Sequence, residues 1–330
     1  MVILNDKYRK NFLLSFVHKS NTSGLEELMI YTLKNNIKRQ TIEAYDTENN
    51  LIGEAVFSPF IPSDLYDNPR LNIYFDIEVK DIENKDNIKN QLFDEIMKRS
   101  KELKLEYNGH DVKVYHCCFP DNIENIEYYS AKPGFQHDEG MYIIKKDISE
   151  ENFNIPDTND VVELTQFKGI THSKDMTQIG DMTQNNSGVN YIKLNFQTED
   201  EMLQLIQEQH KVFKNGYSIE DLKEIKETKQ WFSIAAKHNG FLVGNVIMIV
   251  KEDENNNKYG WVDDFFVSKE FRKNGIGKNL LLRALKELKS LHVFESRLEV
   301  WSSNVRAMSL YQSLGYRFYK ETECAIGMFL

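Results

Sequence analysis

The same order of strands and helices is predicted twice along the 330 residues of this chain. Apolar alternation, helical spacing of leucines and turn residues place the elements of the C-terminal copy at 189–196, 200–214, 218–228, 231–237, 241–250, 259–267, 280–291, 297–301, 305–314 and 317–330, the last being a strand pair. The N-terminal half repeats the later part of this order at 40–45, 51–60, 71–79, 87–103, 111–119, 128–135 and 140–148. Leu51-Ile52-Gly53 matches Leu242-Val243-Gly244 within the first hairpin of each copy. A repeated order of elements indicates a duplicated unit.

We therefore predict an α/β fold (an α+β sandwich) of two similar domains, each a mixed, mostly antiparallel sheet flanked by helices. The expected domains are residues 1–150 and 189–330, joined by a connector at 151–188. The connector is polar and repeats the string Asp-Met-Thr-Gln at 175–178 and 181–184. We interpret it as an ordinary connector, with a functional lid as the alternative.

Composition excludes several classes of protein. A formal net charge of −10 and a pI near 5.4 argue against a nucleic-acid partner and favour a cationic small substrate. The start of the chain reaches Asp6 and Lys7 before any long apolar run, and no apolar stretch is long enough to span a bilayer. Cys117, Cys118 and Cys324 have no paired spacing, so we expect reduced structural thiols and a cytoplasmic protein without a membrane partner. The eight histidines show no metal-binding spacing, and no metal is predicted.

A glycine-containing loop joins strand 262–267 to the leucine-rich helix. Glycines allow a tight turn with exposed N–H groups, and the helix N-terminus adds a partial positive charge, so the loop is typical of an anion site. Arg272 and Lys273 add charge suited to a pyrophosphate. The loop is not a Walker A motif, because Arg272 replaces the first glycine and Asn279 replaces Ser or Thr. It is not a dinucleotide fingerprint either, because the third glycine is missing.

Three segments resemble a known family. Arg272-x-x-Gly275-x-Gly277 is similar to the acyl-CoA pyrophosphate loop of the GNAT superfamily of N-acyltransferases, in which tandem units are a known arrangement. The family's second signature is similar to the later string Asn304-x-x-Ala307-x-x-Leu310-Tyr311-x-x-Leu314-Gly315-Tyr316. The strand Val262-Asp263-Asp264-Phe265-Phe266-Val267 resembles polyamine N-acetyltransferases, which carry a carboxylate at the place of Asp263.

The resemblance implies direct transfer of an acetyl group from acetyl-CoA to the primary amine of a small molecule. Asp263 would act as base through a water molecule, and Tyr311 as the acid that protonates the departing thiolate. A backbone N–H near Phe266 or Val267 would stabilise the oxyanion. The residues implied in cofactor binding are Phe266, Val267, Arg272, Lys273, Asn274, Gly275, Ile276, Gly277, Lys278, Asn304 and Tyr311.

The N-terminal copy departs from this pattern. Its loop at 79–87 has no glycine and several acidic residues, which would repel a phosphate. Aligning Gly134 with Gly315 places Ser130 at the tyrosine position, and Tyr129 fits only with an inserted residue. We therefore expect a degenerate GNAT-like domain that has lost cofactor binding.

Other interpretations remain open at this stage. A protein N-terminus or lysine could be the acceptor, or the chain could be a non-catalytic acyl-CoA-binding scaffold. The identity of the amine, the size of the acyl group and the oligomeric state, including a homodimer, are not determined by these residues.

Overall fold

The computed structural model describes residues 31–36, 40–62, 66, 68–80, 84–155, 161–163, 188–213 and 216–330. These residues form two compact units. The first contains the described residues up to Tyr142 together with 301–305 and 321–330, and the second contains 143–300 and 306–320. The repeated Asp-Met-Thr-Gln string lies outside the described residues.

The first unit is a sheet packed against helices. Its elements are β1 (Tyr31–Asn36), β2 (Thr41–Asp46), β3 (Leu51–Phe60), β4 (Arg70–Val79), α1 (Lys85–Glu106), β5 (Asp111–Cys118), α2 (Ile123–Ser130), the first part of β6 (Gln136–Asp147) and the last part of β13 (Arg317–Phe329). The strand order is β1-β2-β3-β4-β5-β13-β6, with β4 and β5 parallel and β5 and β13 antiparallel. A continuous apolar core fills the space between the sheet and α1, because alternate residues of β4 and one face of α1 are apolar.

The second unit has the same kind of architecture. Its elements are the last part of β6, β7 (Val161–Glu163), β8 (Gly188–Leu194), α3 (Glu199–Val212), α4 (Ile219–Glu227), β9 (Trp231–His238), β10 (Phe241–Glu252), β11 (Lys258–Val267), α5 (Ile276–Ser290), β12 (Glu295–Trp301), α6 (Val305–Ser313) and the first part of β13. Strands β12, β11, β10, β9, β8 and β7 are neighbours in that order, and only the β11–β12 contact among them is parallel. The predicted fold class, two units with mixed, mostly antiparallel sheets and flanking helices, is confirmed.

Corresponding residues of the two units form the same contacts. Gly53 pairs with Val79 in the β3–β4 ladder, and Gly244 pairs with Val267 in the β10–β11 ladder. A Cβ at Gly53 would lie 3.3 Å from Ile88 of α1, and a Cβ at Gly244 would lie 2.9 Å from a backbone oxygen of β11. The close approach explains why glycine is used at both places, and it supports the duplication inferred from the sequence.

Two helix caps illustrate how local sequence sets the boundaries. Ser218 accepts a bond from the N–H of Asp221, and the Asp221 carboxylate accepts one in return from the N–H of Ser218, which completes a capping box at the start of α4. Thr198 likewise caps α3, but the carboxylate of Glu201 accepts from the N–H of Gln197, so the return bond of a capping box is missing there.

The prediction of a strand pair at the end of the chain was wrong. Residues 317–329 form the single strand β13. No Gly, Pro, Asn or Asp occurs between Arg317 and Ile326, so the chain has no residue that favours a turn there.

The cysteines lie closer together than their sequence positions indicate. Cys324 on β13 is the direct cross-strand partner of Cys118 on β5, and Cys117, Cys118 and Cys324 are all free thiols. Burial raises the pKa of Cys118 to about 11 and that of Cys324 to about 12. No helix within the described residues is long and apolar enough to cross a membrane.

Candidate active site

The loop between β11 and α5 is an open backbone cradle. Gly275 caps α5 with a φ of +76°, and Lys273 also has a positive φ of +64°. An L-residue at 275 would be strained in this left-handed conformation. A Cβ at Gly277 would lie 3.1 Å from the ring of Phe265 and 3.5 Å from Leu310. Both glycines therefore keep the backbone at the start of α5 accessible and unstrained.

Side chains of the loop hold its conformation. The guanidinium Nε of Arg272 donates to the carbonyl oxygen of Val267 at 3.0 Å. The amide of Asn274 donates to the carbonyl oxygens of Phe271 and Arg272, each at 3.3 Å. A short 3-10 turn at Lys269–Phe271 leads into this arrangement.

The charges of the loop fit an anionic ligand. Lys273 and Lys278 are exposed, whereas Ile276 is buried and anchors the first turn of α5. The first turn of α5 has no acidic residue to oppose an anion at the helix N-terminus. A cradle that a Cβ would fill, two lysines and a helix N-terminus together suit a pyrophosphate such as that of acetyl-CoA.

The edge of β11 beside this loop has a backbone group free of the β10 ladder. The N–H of Ser268 donates to Val243 of β10 at 2.9 Å. Because N–H groups alternate in direction along a strand, the N–H of Val267 points to the opposite side and that of Phe266 points to β10. On that opposite side, β11 and β12 pair only at Gly260↔Ser296 and Trp261↔Arg297 and then separate. The Val267 N–H therefore faces the gap, whereas Phe266 packs its buried side chain into the core beside α3.

A β-bulge sets the position of Asp263. In the β10–β11 ladder Ile247 pairs with Asp264 and Met248 pairs with Val262, so Asp263 is the extra residue on β11. Asp263 is half-buried, and its Oδ2 accepts a short hydrogen bond from the hydroxyl of Tyr217. Burial and the two neighbouring aspartates raise the pKa of Tyr217, which keeps this hydroxyl a donor.

Asp264 also reaches the α3–α4 segment. Its Oδ1 accepts a bond from Gln209 Nε2 at 2.8 Å, and its Oδ2 is buried with no hydrogen-bond partner. Desolvation, followed by the charge of Asp263, raises the pKa of Asp264 to about 7. Burial alternates along β11, with Asp263 half-buried and Asp264 buried, yet both carboxylates bond to side chains of the α3–α4 segment.

The contacts to both aspartates come from one segment. The side-chain oxygen of Gln209 accepts from the N–H of Tyr217 at 2.6 Å, so Gln209 joins the end of α3 to the residue that holds Asp263. A Cβ at Gly216 would lie 2.5 Å from that same oxygen and 2.4 Å from the ring of His210, so a larger residue there would displace these side chains. Gln209 and Tyr217 were not among the residues singled out from the sequence, and Asp264 was named only as a part of the strand that contains Asp263. A helix-face glutamine and a loop tyrosine carry no motif, and only their burial against β11 reveals them.

Tyr311 lies on α6 with its ring against β11. It is 7% exposed, and its ring centroid is 6.3 Å from that of Phe265 and 5.7 Å from that of Tyr316. Burial, with smaller effects of Tyr316 and Asp264, raises the pKa of its hydroxyl. Tyr311 therefore carries its proton at neutral pH, which a general acid requires.

Asn304 lies in the turn between β12 and α6. Its N–H donates to the carbonyl oxygen of Trp301 at 2.9 Å. Residues 301–305 group with the first compact unit, so the contact of Asn304 with the cofactor stays a prediction.

The corresponding part of the first unit differs at two points. Asn84 caps α1 with a φ of +78°, where Gly275 caps α5, and residues 81–83 of this loop lie outside the described part of the chain. The β3–β4 ladder runs from Gly53↔Val79 to Phe60↔Asn72 without a bulge. On α2, Ser130 is exposed and Tyr129 is fully buried in the core.

Comparison with known proteins identifies the second unit. Residues 200–316 match the family described as Acetyltransferase (GNAT) family. Over 106 residues the chain is 29% identical to a probable spermine N(1)-acetyltransferase of Bacillus subtilis subsp. natto (strain BEST195), a match that spans 31% of this chain and 70% of that protein.

Two solved structures are similar over most of the chain. A GCN5-related N-acetyltransferase from Sphaerobacter thermophilus covers 89% of this chain and 82% of its own, at 13% identity and a TM-score of 0.42. A tandem GNAT protein from the clavulanic acid biosynthesis pathway covers 91% of this chain and 84% of its own, at 10% identity and a TM-score of 0.39. From the family match and the acetyltransferase relative, we conclude that the protein is an acyl-CoA-dependent acetyltransferase whose residues 200–316 form a GNAT-family domain.

Proposed function

We propose that this enzyme transfers the acetyl group of acetyl-CoA to a primary amine of a small, cationic molecule of the polyamine class. The observation that carries the proposal is the pair of aspartates, Asp263 and Asp264, held by one segment on the strand that leads into the glycine loop. Two carboxylates in a partly dehydrated site favour an ammonium group over a neutral acceptor. The similarity to a protein named as a spermine acetyltransferase supports the same class of acceptor.

The loop would hold the donor. In this proposal the backbone of Asn274 to Lys278 and the charges of Arg272 and Lys273 bind the pyrophosphate, while Asn304 contacts the amide arm. Acetyl-CoA supplies the acetyl group as a thioester. Because Val267 is the residue whose N–H faces the gap between β11 and β12, it is the better of the two predicted oxyanion donors, and Phe266 contributes by packing.

The two aspartates would have different tasks. Asp264 in its ionised form holds the ammonium end of the acceptor through its unpartnered oxygen. An alkyl amine has a pKa near 10 and must lose a proton before it can attack. Asp263 accepts that proton through a water molecule, and its bond from Tyr217 keeps the carboxylate in one orientation.

Tyr311 would complete the reaction. Its buried hydroxyl keeps its proton at neutral pH and can donate it to the thiolate of CoA as the carbon–sulfur bond breaks. The amine nitrogen then carries the acetyl group and has lost two protons. The first reaches solvent through Asp263, and the second, released from the nitrogen of the tetrahedral intermediate, replaces the proton that Tyr311 gave to the thiolate. The reaction is balanced without a metal or redox partner.

Titration calorimetry of acetyl-CoA into the full chain is the first test, with Gly275→Glu as the variant that fills the cradle. One binding site that is lost in Gly275→Glu would support the loop as the donor site. Binding that survives in Gly275→Glu would contradict it.

An acceptor panel of spermine, spermidine, an aminoglycoside and a lysine-containing peptide then tests the substrate class. Preference for a polyamine is the expected result. Preference for the peptide would overturn the proposal in favour of a protein acetyltransferase, and donor binding without turnover on any amine would favour a non-catalytic scaffold.

A further inference from the structure

Three potential metal ligands meet on neighbouring strands of the first unit. His137 lies on β6, and Glu321 and Cys324 lie on β13. One imidazole nitrogen, one carboxylate oxygen and one thiol sulfur from these residues all lie within 4.8 Å of one another. The ring Nε2 of His137 is 2.9 Å from Oε1 of Glu321. The carboxylate thus already contacts the imidazole.

A second cysteine lies opposite Cys324 on the neighbouring strand. Cys118 is the Cα partner of Cys324 in the antiparallel β5–β13 ladder. Side chains of directly opposed residues point to the same face with their Cβ atoms about 4.5–5.5 Å apart. The thiol of Cys118 therefore lies on the same face of the sheet as that of Cys324, whereas the thiol of Cys117 points to the other face.

The backbone makes room for the carboxylate. A Cβ at Gly140 of β6 would lie 1.9 Å from Oε1 of Glu321, so the carboxylate occupies the space that any other residue at 140 would fill. The N–H of Gly140 donates to the hydroxyl of Ser302 at 2.9 Å, which holds this part of β6 in place. Glu321 is therefore kept close to both His137 and Cys324.

The side chains of the cluster differ in their exposure to solvent. Cys324 is 2% exposed and Cys118 is 9% exposed, while the side chain of His137 is 37% exposed. An ion could enter from the histidine side and reach sulfur ligands that are shielded from solvent. Shielded thiolates beside an accessible imidazole are consistent with a site that retains its ion.

We propose that His137, Glu321 and Cys324, with Cys118 as the fourth ligand, bind one Zn²⁺ ion. Zinc accepts nitrogen, oxygen and sulfur ligands together in a tetrahedral arrangement, at about 2.0–2.3 Å. Magnesium and calcium bind oxygen ligands and do not favour thiolates. Each cysteine releases its thiol proton to solvent as its sulfur binds the ion. The ion joins β13 to both of its neighbours, β5 and β6, so its binding free energy stabilises the first unit.

The proposed zinc site is separate from the acetyltransferase machinery. None of its four residues falls within 200–316, the range of the GNAT-family match. The experiment that tests the zinc site therefore measures metal binding and stability, and its outcome does not depend on the proposed acceptor.

The experiment is a titration of the metal-free, tag-free full chain with Co²⁺ under a phosphine reductant. We expect one equivalent of Co²⁺ to produce tetrahedral d–d absorption and a sulfur-to-cobalt charge-transfer band, and Zn²⁺ to displace it and raise the melting temperature. Cys324→Ser should abolish the charge-transfer intensity from that sulfur and weaken binding by at least about tenfold. Cys117→Ser is the matched control, and its spectrum should equal that of the wild type.

Two further variants test the site in case Cys324→Ser does not fold. His137→Ala and Glu321→Gln change the less buried side of the cluster, and circular dichroism of each metal-free variant reports whether it is folded. Folded variants that bind Co²⁺ as tightly as the wild type would overturn the proposal. So would a wild-type spectrum without a charge-transfer band, or a band whose intensity is unchanged in Cys324→Ser.

Discussion

Gln209 Nε2 donates a hydrogen bond to Oδ1 of Asp264 over 2.8 Å, and this bond connects the end of α3 to the strand that precedes the glycine loop. The other side-chain atom of Gln209 accepts from the N–H of Tyr217, whose hydroxyl bonds to Asp263. One buried glutamine therefore holds together the two aspartates proposed to handle the amine.

The free energy of unfolding should depend on pH through the protonation of the Asp264 carboxylate. Its pKa is 3.8 in an unfolded chain and about 7 in the folded one, so the folded state binds the proton more tightly. The stabilising contribution is complete below about pH 4 and is lost as the pH rises through 7. A shift of this size corresponds to roughly 4 kcal/mol in the free energy of unfolding. Urea unfolding between pH 4 and 8 should show this decline in the wild type, and a smaller one in Asp264→Asn.

The protonation of Asp264 should also determine how kcat/KM for the amine changes with pH. Since the ionised form of Asp264 is proposed to hold the ammonium group, kcat/KM for the amine should rise with pH through about 7. In Asp264→Asn the rise near pH 7 should disappear and the KM for the amine should increase about tenfold or more. If Asp264→Asn retained both the rise and the KM of the wild type, the proposed role of Asp264 would be wrong.

Tyr217→Phe removes the hydrogen bond to Asp263 but keeps the ring. We expect a loss of about tenfold in kcat/KM for the amine, since a bond to a charged group contributes about 1.5–3 kcal/mol. The Kd of acetyl-CoA should not change, because Tyr217 contacts the aspartates and not the loop. Steady-state kinetics together with calorimetry separate the two effects, and an equal weakening of acetyl-CoA would contradict the assignment.

Tyr311→Phe should lower kcat by about 10²-fold or more while leaving the Kd of acetyl-CoA unchanged, because only the proton donor is removed. Tyr316→Phe is the matched control. The Tyr316 hydroxyl lies 2.7 Å from that of Ser296 in the core, so its loss should cost about 1 kcal/mol of stability and little turnover. If Tyr311→Phe turned over as fast as the wild type, the proposed role of Tyr311 as the acid would be wrong.

Gly275→Ala and Asn84→Ala compare the two helix caps. Both positions have a left-handed backbone, so alanine should destabilise the second unit by about 1–2 kcal/mol at Gly275, and the first unit by less at Asn84, because asparagine already carries a Cβ. Only Gly275→Ala should weaken acetyl-CoA binding, measured by calorimetry, if the first unit does not bind the cofactor. A weaker affinity in Asn84→Ala instead would assign the cofactor to the other unit.

Much of the fold follows from the sequence because it depends on local patterns. Helical leucine spacing located α5, alternation located β3 with its observed ends, and Ser218 with Asp221 marked the start of α4. The duplication was also predictable, since the strands that pair with Gly53 and Gly244 follow them at similar spacing, with partners Val79 and Val267 placed 26 and 23 residues later. The glycine loop was predictable because left-handed backbone and close contact both require glycine at 275 and 277.

The arrangement of the two chemical sites was decided by tertiary structure. Asp263 and Asp264 both bond to the α3–α4 segment, next to a bulge in the ladder with β10, and a bulge has no reliable local signature. Gln209 becomes part of the site only when α3 packs on β11. His137 and Cys324 lie far apart in the chain and meet because β6 and β13 are neighbours in the sheet. Sequence determined which elements form, because those forces act between residues near in the chain, whereas long-range strand pairing determined which side chains meet.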